Sequence, residues 1–235
     1  MGNKNESKRW LVVALFAAAM AWVESAAVLY LRVQLDRVIP YQPNPLPVSV
    51  GLGQVELVRE AATLIMLLAV GWLAGGTWRS RLAYSMITFG VWDIFYYIFL
   101  APMSGWPKSL LDWDVLFLLP LPWWGPVLAP VLISILLIVG GTLITQFDRP
   151  ERPRWPGRLT LWLNLAGVLL TFYIFMSDAI RVVGAGEVAI RNVLPTWFNW
   201  PLFSVALLLM AAPVADLSWQ IWGGRLNQAR SVETA

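Results

Sequence analysis

The sequence predicts an all-α fold, a polytopic membrane bundle of six transmembrane helices with one extra half-helix at its outer side. Three observations carry that prediction. Hydrophobic residues make up 58% of the 235 and charged residues only 13%, with a mean hydropathy of +0.64; soluble domains carry about 25% charge. The apolar residues fall into six runs, each close to the ~20 residues that a ~30 Å hydrocarbon core requires. The 15 tryptophans suit a chain that meets the membrane–water boundary repeatedly, because indole is apolar in body and polar at its N–H.

The first run covers residues 10–31, behind the polar, basic "MGNKNESKR". It is too long for a signal peptide and lacks a clean small-x-small cleavage site. The others cover 54–75, 82–101, about 127–146, 159–177 and 201–222. Backbone groups in lipid must be satisfied within the segment, so each run is expected to be helical. Residues 10–222 then form a single transmembrane domain, between tails at 1–9 and 223–235.

Lys and Arg in the short connections set the orientation. One side collects Lys4, Lys8, Arg9, Arg79, Arg81, Arg149, Arg152, Arg154, Arg158, Arg225 and Arg230. The other holds Arg32, Arg37, Arg59, Lys108, Arg181 and Arg191, an eleven-to-six division of the 17 basic residues. This predicts both termini on the cytoplasmic side, in a bacterial inner membrane.

Three connections are longer than threading needs. Residues 37–53, "RVIPYQPNPLPVSVGLG", hold four prolines and read as an extended or turn-rich flap. Residues 180–200 have room for a short amphipathic piece. In "SLLDWDVLFLLPLPWWGP" the ten residues 110–119 would make about 15 Å of helix, too short to span, before Pro120 interrupts. The expectation is an outer half-helix over about 110–119, opened by a Ser109-x-x-Asp112 capping box.

The main functional signal is charge inside apolar runs, which is rare in lipid and demands a partner. Glu24 lies in the outer part of the first run, with Arg32 two turns on; Arg32 and Arg59 are its candidate partners. In "QVELVREAATLIM", Glu56, Arg59, Glu60 and Thr63 fall on one helical face. Asp93 sits in "FGVWDIFYYIFL", flanked on its own face by Gly90 and Tyr97, with Tyr97 and Arg59 as expected partners. Asp114 points away from Asp112 and toward the same region. Glu24, Arg59, Glu60 and Asp93 all map to the outer half, so they are expected to share one pocket, capped by the half-helix and the flap. Carboxylates outnumber arginines there, and low dielectric does not tolerate a surplus of like charge, so the pocket is expected to hold a proton.

Asp178 and Arg181 read as an interfacial pair, Asn164 as an interhelical hydrogen-bonding residue, and Asp216 as an isolated acid in the inner half of the last run.

Composition also excludes classes of function. With no cysteine and no histidine, the chain has no disulfides, thiolate chemistry, His-ligated haem, ordinary zinc site or His-dependent triad. No metal site or cofactor is expected, no phosphate loop or hydrolase motif is present, and no soluble basic domain is available for nucleic acid. The expected partners are membrane lipids, with other membrane subunits as a further option. The leading reading is a lipid- or amphiphile-binding membrane enzyme. Glu24, Glu60 and Asp93 would supply acid–base chemistry, and Arg59, Tyr97, Trp92 and Asp114 would bind substrate, with Trp22 and Trp113 completing an aromatic lining. The alternatives are a non-catalytic subunit of a larger membrane complex and a small proton-coupled transporter; the lack of an internal repeat counts against the last.

Overall fold

The computed structural model describes the backbone of residues 4–43, 46, 52–147 and 154–233, and side chains within those limits except at 4, 52 and 224–233. Part of the flap, part of the basic connection near 148–153, and the side chains of Arg225 and Arg230 lie outside the described residues.

Seven α-helices are present among the described residues: α1 (Lys4–Gln34), α2 (Leu52–Ala74), α3 (Trp78–Ser104), α4 (Leu128–Thr142), α5 (Arg158–Val182), α6 (Glu187–Asn192) and α7 (Trp200–Glu233). A π-helical turn, Leu143–Phe147, continues α4. Six of these helices, all but the short α6, are long and apolar enough to cross a membrane. Their outward side chains include Leu73, Leu159, Leu208 and Trp219, each 70% exposed or more. An apolar exterior of that kind belongs in lipid, and the chain is a multi-pass membrane protein.

The helix ends follow local chemistry. Thr77 caps α3 through a reciprocal box with Ser80, and Gly105 closes it at φ +71°, a left-handed conformation that glycine adopts without a Cβ penalty. These caps carry α3 beyond the 82–101 expected from hydropathy. Asn199 Oδ1 accepts the Leu202 N–H at 3.0 Å and caps α7. Asp216 is no isolated acid: its Oδ2 accepts the Gly157 N–H at 2.7 Å and lies 3.3 Å from the Thr160 hydroxyl. A residue of α7 thus caps α5.

α3 is the hub, with α1, α2 and α4 all packed against it, while α5 packs on α7 and α7 meets α4 along a narrower strip. Close approach rests on small residues. A Cβ at Gly90 would lie 2.7 Å from Ser134 O of α4, and one at Gly167 would lie 2.6 Å from Ala206 O of α7. Small-residue contacts of this type substitute for hydrophobic driving force in lipid. Asn164 Nδ2 donates to Met210 O at 3.1 Å, the interhelical role expected of it.

Both ends of the bundle's chain lie on one side. Tyr84 donates to Glu6, Ser7 to Gln146 and Trp10 to Thr142, which gathers the starts of α1 and α3 with the end of α4. Phe147 meets Trp222 of α7 at 5.9 Å on that same side.

The opposite side differs from expectation. No half-helix exists over about 110–119. Residues 108–112 close a turn in which Asp112 Oδ2 accepts the Lys108 and Ser109 N–H groups at 2.7 and 3.2 Å. The acid therefore satisfies backbone preceding it, rather than opening a helix after it. An antiparallel hairpin follows, β1 (Trp113–Val115) on β2 (Trp124–Pro126), with Asp114 opposite Gly125. Beyond it, Leu116 N donates to Trp123 O and Trp123 N to Phe117 O, both at 2.8 Å. Pro120 and Pro122 have no N–H to continue a helix, whereas β-branched and aromatic residues suit the short strands.

The described part of the flap lies over this hairpin. Tyr41 stacks on Trp113 at 6.1 Å and donates to Pro195 O at 2.7 Å. Leu46, 2% exposed, packs with Leu118 and Trp124. Its backbone exchanges hydrogen bonds with Arg191 of α6 in both directions. The short piece expected in 180–200 is thus α6, and it clasps the flap.

Candidate functional site

Beneath the hairpin and flap is a cavity of about 460 Å³, within the ~300–1,000 Å³ of typical small-molecule sites. Its wall is largely apolar, with Phe89, Leu137, Val168 and Phe172 among the lining residues, and it also carries Glu24, Arg32, Glu56, Arg59, Glu60, Asp93 and Asp114. Glu24, Arg59, Glu60, Asp93, Asp114, Trp92 and Tyr97, singled out from the sequence, all line it. Trp22 does not, being 52% exposed on the lipid-facing side of α1. Trp113 lines a separate, smaller pocket beside Asp178 and Arg181, which are ion-paired as expected.

The charges resolve into three groups. In the first, Arg59 of α2 is ion-paired with both Glu24 of α1 and Glu56 one turn away. Thr63 Oγ1 also donates to Glu24 at 3.2 Å. The face that places Glu56, Arg59 and Thr63 together therefore ties α2 to α1.

The second group joins α1, α3 and the hairpin. Arg32 Nη2 meets Asp114 Oδ1 at 2.8 Å, and Tyr97 donates to Asp114 Oδ2 at 3.1 Å. The Val115 N–H adds a bond at 2.9 Å to Oδ1. Arg32 also lies 4.6 Å over the Trp106 ring, a cation–π arrangement. Asp114 is 1% exposed, and this burial pushes its carboxyl above the usual carboxylate range despite the neighbouring Arg32 and Tyr97. Of the two partners expected for Glu24, Arg59 is the one it has; Arg32, the other, and Tyr97, expected on Asp93, both go to Asp114 instead.

The third group is two carboxylates with no ion pair among the described residues. Both oxygens of Glu60 accept the Leu118 N–H, at 3.2 and 3.1 Å, so α2 holds the segment after β1 over the cavity. Asp93 Oδ2 accepts the Ser134 hydroxyl of α4 at 2.8 Å. Neither Tyr97 nor Arg59 bonds to Asp93. Both carboxylates are nearly buried, at 8% and 7% exposure.

Sequence reasoning missed Ser134, Trp123 and the Leu118 N–H. Ser134 had a readable signal as an isolated hydroxyl in the apolar stretch "LAPVLISILLIVGG". The other two depend on how the hairpin folds back. Among the described residues no group of three or more acidic side chains is arranged to hold a metal ion. Comparison with known proteins finds no matching family model, no matching curated protein and no matching solved structure.

Proposed function

We propose that the chain is a membrane enzyme that binds a lipid or lipid-like amphiphile in this cavity and works on it through carboxylate acid–base chemistry. The observation that carries the reading is the position of Asp93 and Glu60. Each is a buried carboxylate without an ion-pair partner among the described residues, set in the wall of a largely apolar cavity. Glu24, Glu56 and Asp114 are committed to arginines, which suits them to holding the site's shape. Asp93 is the acid–base group, because no hydrogen bond reaches its Oδ1 among the described residues. It stands near Tyr97 and Trp92 on the same helix, and these rings shape the site around the reacting group. Arg59 and Asp114 position the walls through which the polar head is held.

The domain is the single bundle of residues 10–222, with both termini on the cytoplasmic face of a bacterial inner membrane. The excess of Lys and Arg on the side of the α1 start supports that orientation. The chain lacks cysteine, so the single variants Ser7→Cys and Ser109→Cys report sidedness without background: the thiol of Ser109→Cys reacts with an impermeant maleimide in intact cells and that of Ser7→Cys does not.

The function itself is tested in two steps. Lipid extraction and mass spectrometry of the protein purified in mild detergent should recover a stoichiometric amphiphile. Asp93→Asn should leave folded yield near wild type and abolish the cellular function of the chain. Collapse of the yield would instead make Asp93 a packing residue and refute the assignment.

A further inference from the structure

The donors and acceptors of the cavity wall narrow the chemistry of the amphiphile's head. Every carboxylate there is already met by a donor: Glu24 and Glu56 by Arg59, Asp114 by Arg32 and Tyr97, Glu60 by the Leu118 N–H, Asp93 by Ser134. Apart from Asp93 Oδ1, what remains unmet is a set of donors. Arg32 Nη1, Trp92 Nε1 and Trp123 Nε1 are buried without a hydrogen-bond partner among the described residues, and all three side chains line the cavity. Trp92 is only 7% exposed. Buried donors are almost always paired in folded proteins, so the missing complement is an acceptor.

Charge disfavours an anionic head, and the unmet donors disfavour a quaternary ammonium. Glu24, Glu56, Glu60, Asp93 and Asp114 face only Arg32, Arg37 and Arg59 among the lining residues. An anionic head would enter a surplus of carboxylate, with Arg32 and Arg59 already engaged. A quaternary ammonium offers nothing for an indole or guanidinium N–H to donate to.

α2 rests on α3 and α5 rests on α7, and α2 and α5 do not contact one another. Leu64 of α2 and Phe172 of α5 nevertheless line the same cavity, so the space between them is where a lipid would enter.

Building on the amphiphile reading above, we infer that the cavity takes an uncharged lipid whose head presents hydrogen-bond-accepting oxygens, as in an ester, ketone or alcohol. The head lies against Arg32, Trp92 and Trp123, and the chain against the aliphatic part of the lining, Leu64, Leu137 and Val168.

The test is a native mass-spectrometric titration of the detergent-purified protein with five matched C18 probes: methyl oleate, oleyl alcohol, oleyl phosphate, oleyltrimethylammonium and 1-octadecene. Methyl oleate and oleyl alcohol should bind at least tenfold tighter than either charged probe. Trp92→Phe keeps the ring and removes the N–H; it should weaken methyl oleate about five- to tenfold and leave 1-octadecene unchanged. Trp123→Phe gives the same comparison should the first variant fold poorly. A charged probe that binds as tightly as methyl oleate overturns the head-group inference and leaves the amphiphile reading standing. Equal weakening of methyl oleate and 1-octadecene overturns the donor role. Failure of all five to bind overturns both readings together.

Discussion

Among the described residues Arg59 is the one cation ion-paired with two largely buried carboxylates, and its removal is the sharpest test of how the cavity is built. Arg59→Met keeps the length and apolar stem of the side chain but leaves Glu24 and Glu56 without their shared counter-ion. Their side chains are only 10% and 11% exposed, and that of Arg59 is 25% exposed. Breaking a buried pair by removing one partner costs about 3–5 kcal/mol, because a desolvated charge is left behind. The partial exposure of Arg59 places this case at the low end, about 3 kcal/mol. For a chain of this size that corresponds to about 6–12 °C in melting temperature, readable by tryptophan fluorescence in detergent. Adding Glu24→Gln and Glu56→Gln to Arg59→Met removes the orphaned charges and should restore at least half of the loss. An unchanged melting temperature for the single variant, or no recovery in the triple, would refute the claim that the carboxylates need this arginine.

Other outcomes follow from contacts described above. Gly90→Ala places a methyl group 2.7 Å from Ser134 O and should cost about 1–3 kcal/mol by overpacking. The same displacement draws Ser134 away from Asp93, so activity should fall with stability. Asp216→Ala removes the cap of α5 and should cost about 0.5–2 kcal/mol in thermal unfolding, with ligand binding unchanged. Trp22→Ala, on the lipid-facing surface, should alter stability by about 0.5 kcal/mol or less and leave cavity binding intact; a loss of binding would return Trp22 to the lining.

The six spans were legible because length and hydropathy respond to the same physical fact, the thickness of hydrocarbon that must be crossed. The shared depth of Glu24, Arg59, Glu60 and Asp93 was legible too, since rise per residue fixes depth once threading is known. Partner choice was legible only in part: Glu24–Arg59 and Asp178–Arg181 are pairs the sequence offers, but the partners of Arg32 and Asp93 are not. Arg32 has a carboxylate on its own helix at compatible spacing, yet it pairs with Asp114, because the hairpin folds back into the bundle and brings that acid within 2.8 Å. No periodicity encodes how a loop returns. The hairpin was misread for a related reason: an apolar run of ten residues fits a short helix or a buried strand pair equally well. What decides between them is the turn chemistry of Asp112 and the two prolines. Asp93 illustrates the third difficulty. Its neighbours along α3 are phenols, but its bond is to Ser134, across an interface whose closeness depends on Gly90 having no side chain.

The packing around α3 also bears on how the molecule is assembled. Helices leave the ribosome in chain order, and α1 to α4 contain every contact needed to settle around α3 before α5 or α7 has been made. The last two long helices bring their own mutual fastening, with Asp216 of α7 bonded to the start of α5, and join the first four mainly where α7 meets α4. The cavity therefore lies along the seam between an early and a late folding unit. Until the late unit docks, the cavity lacks the part of its wall that Val168, Phe172 and Met210 supply, and a lipid already resting there would be enclosed as the protein matures.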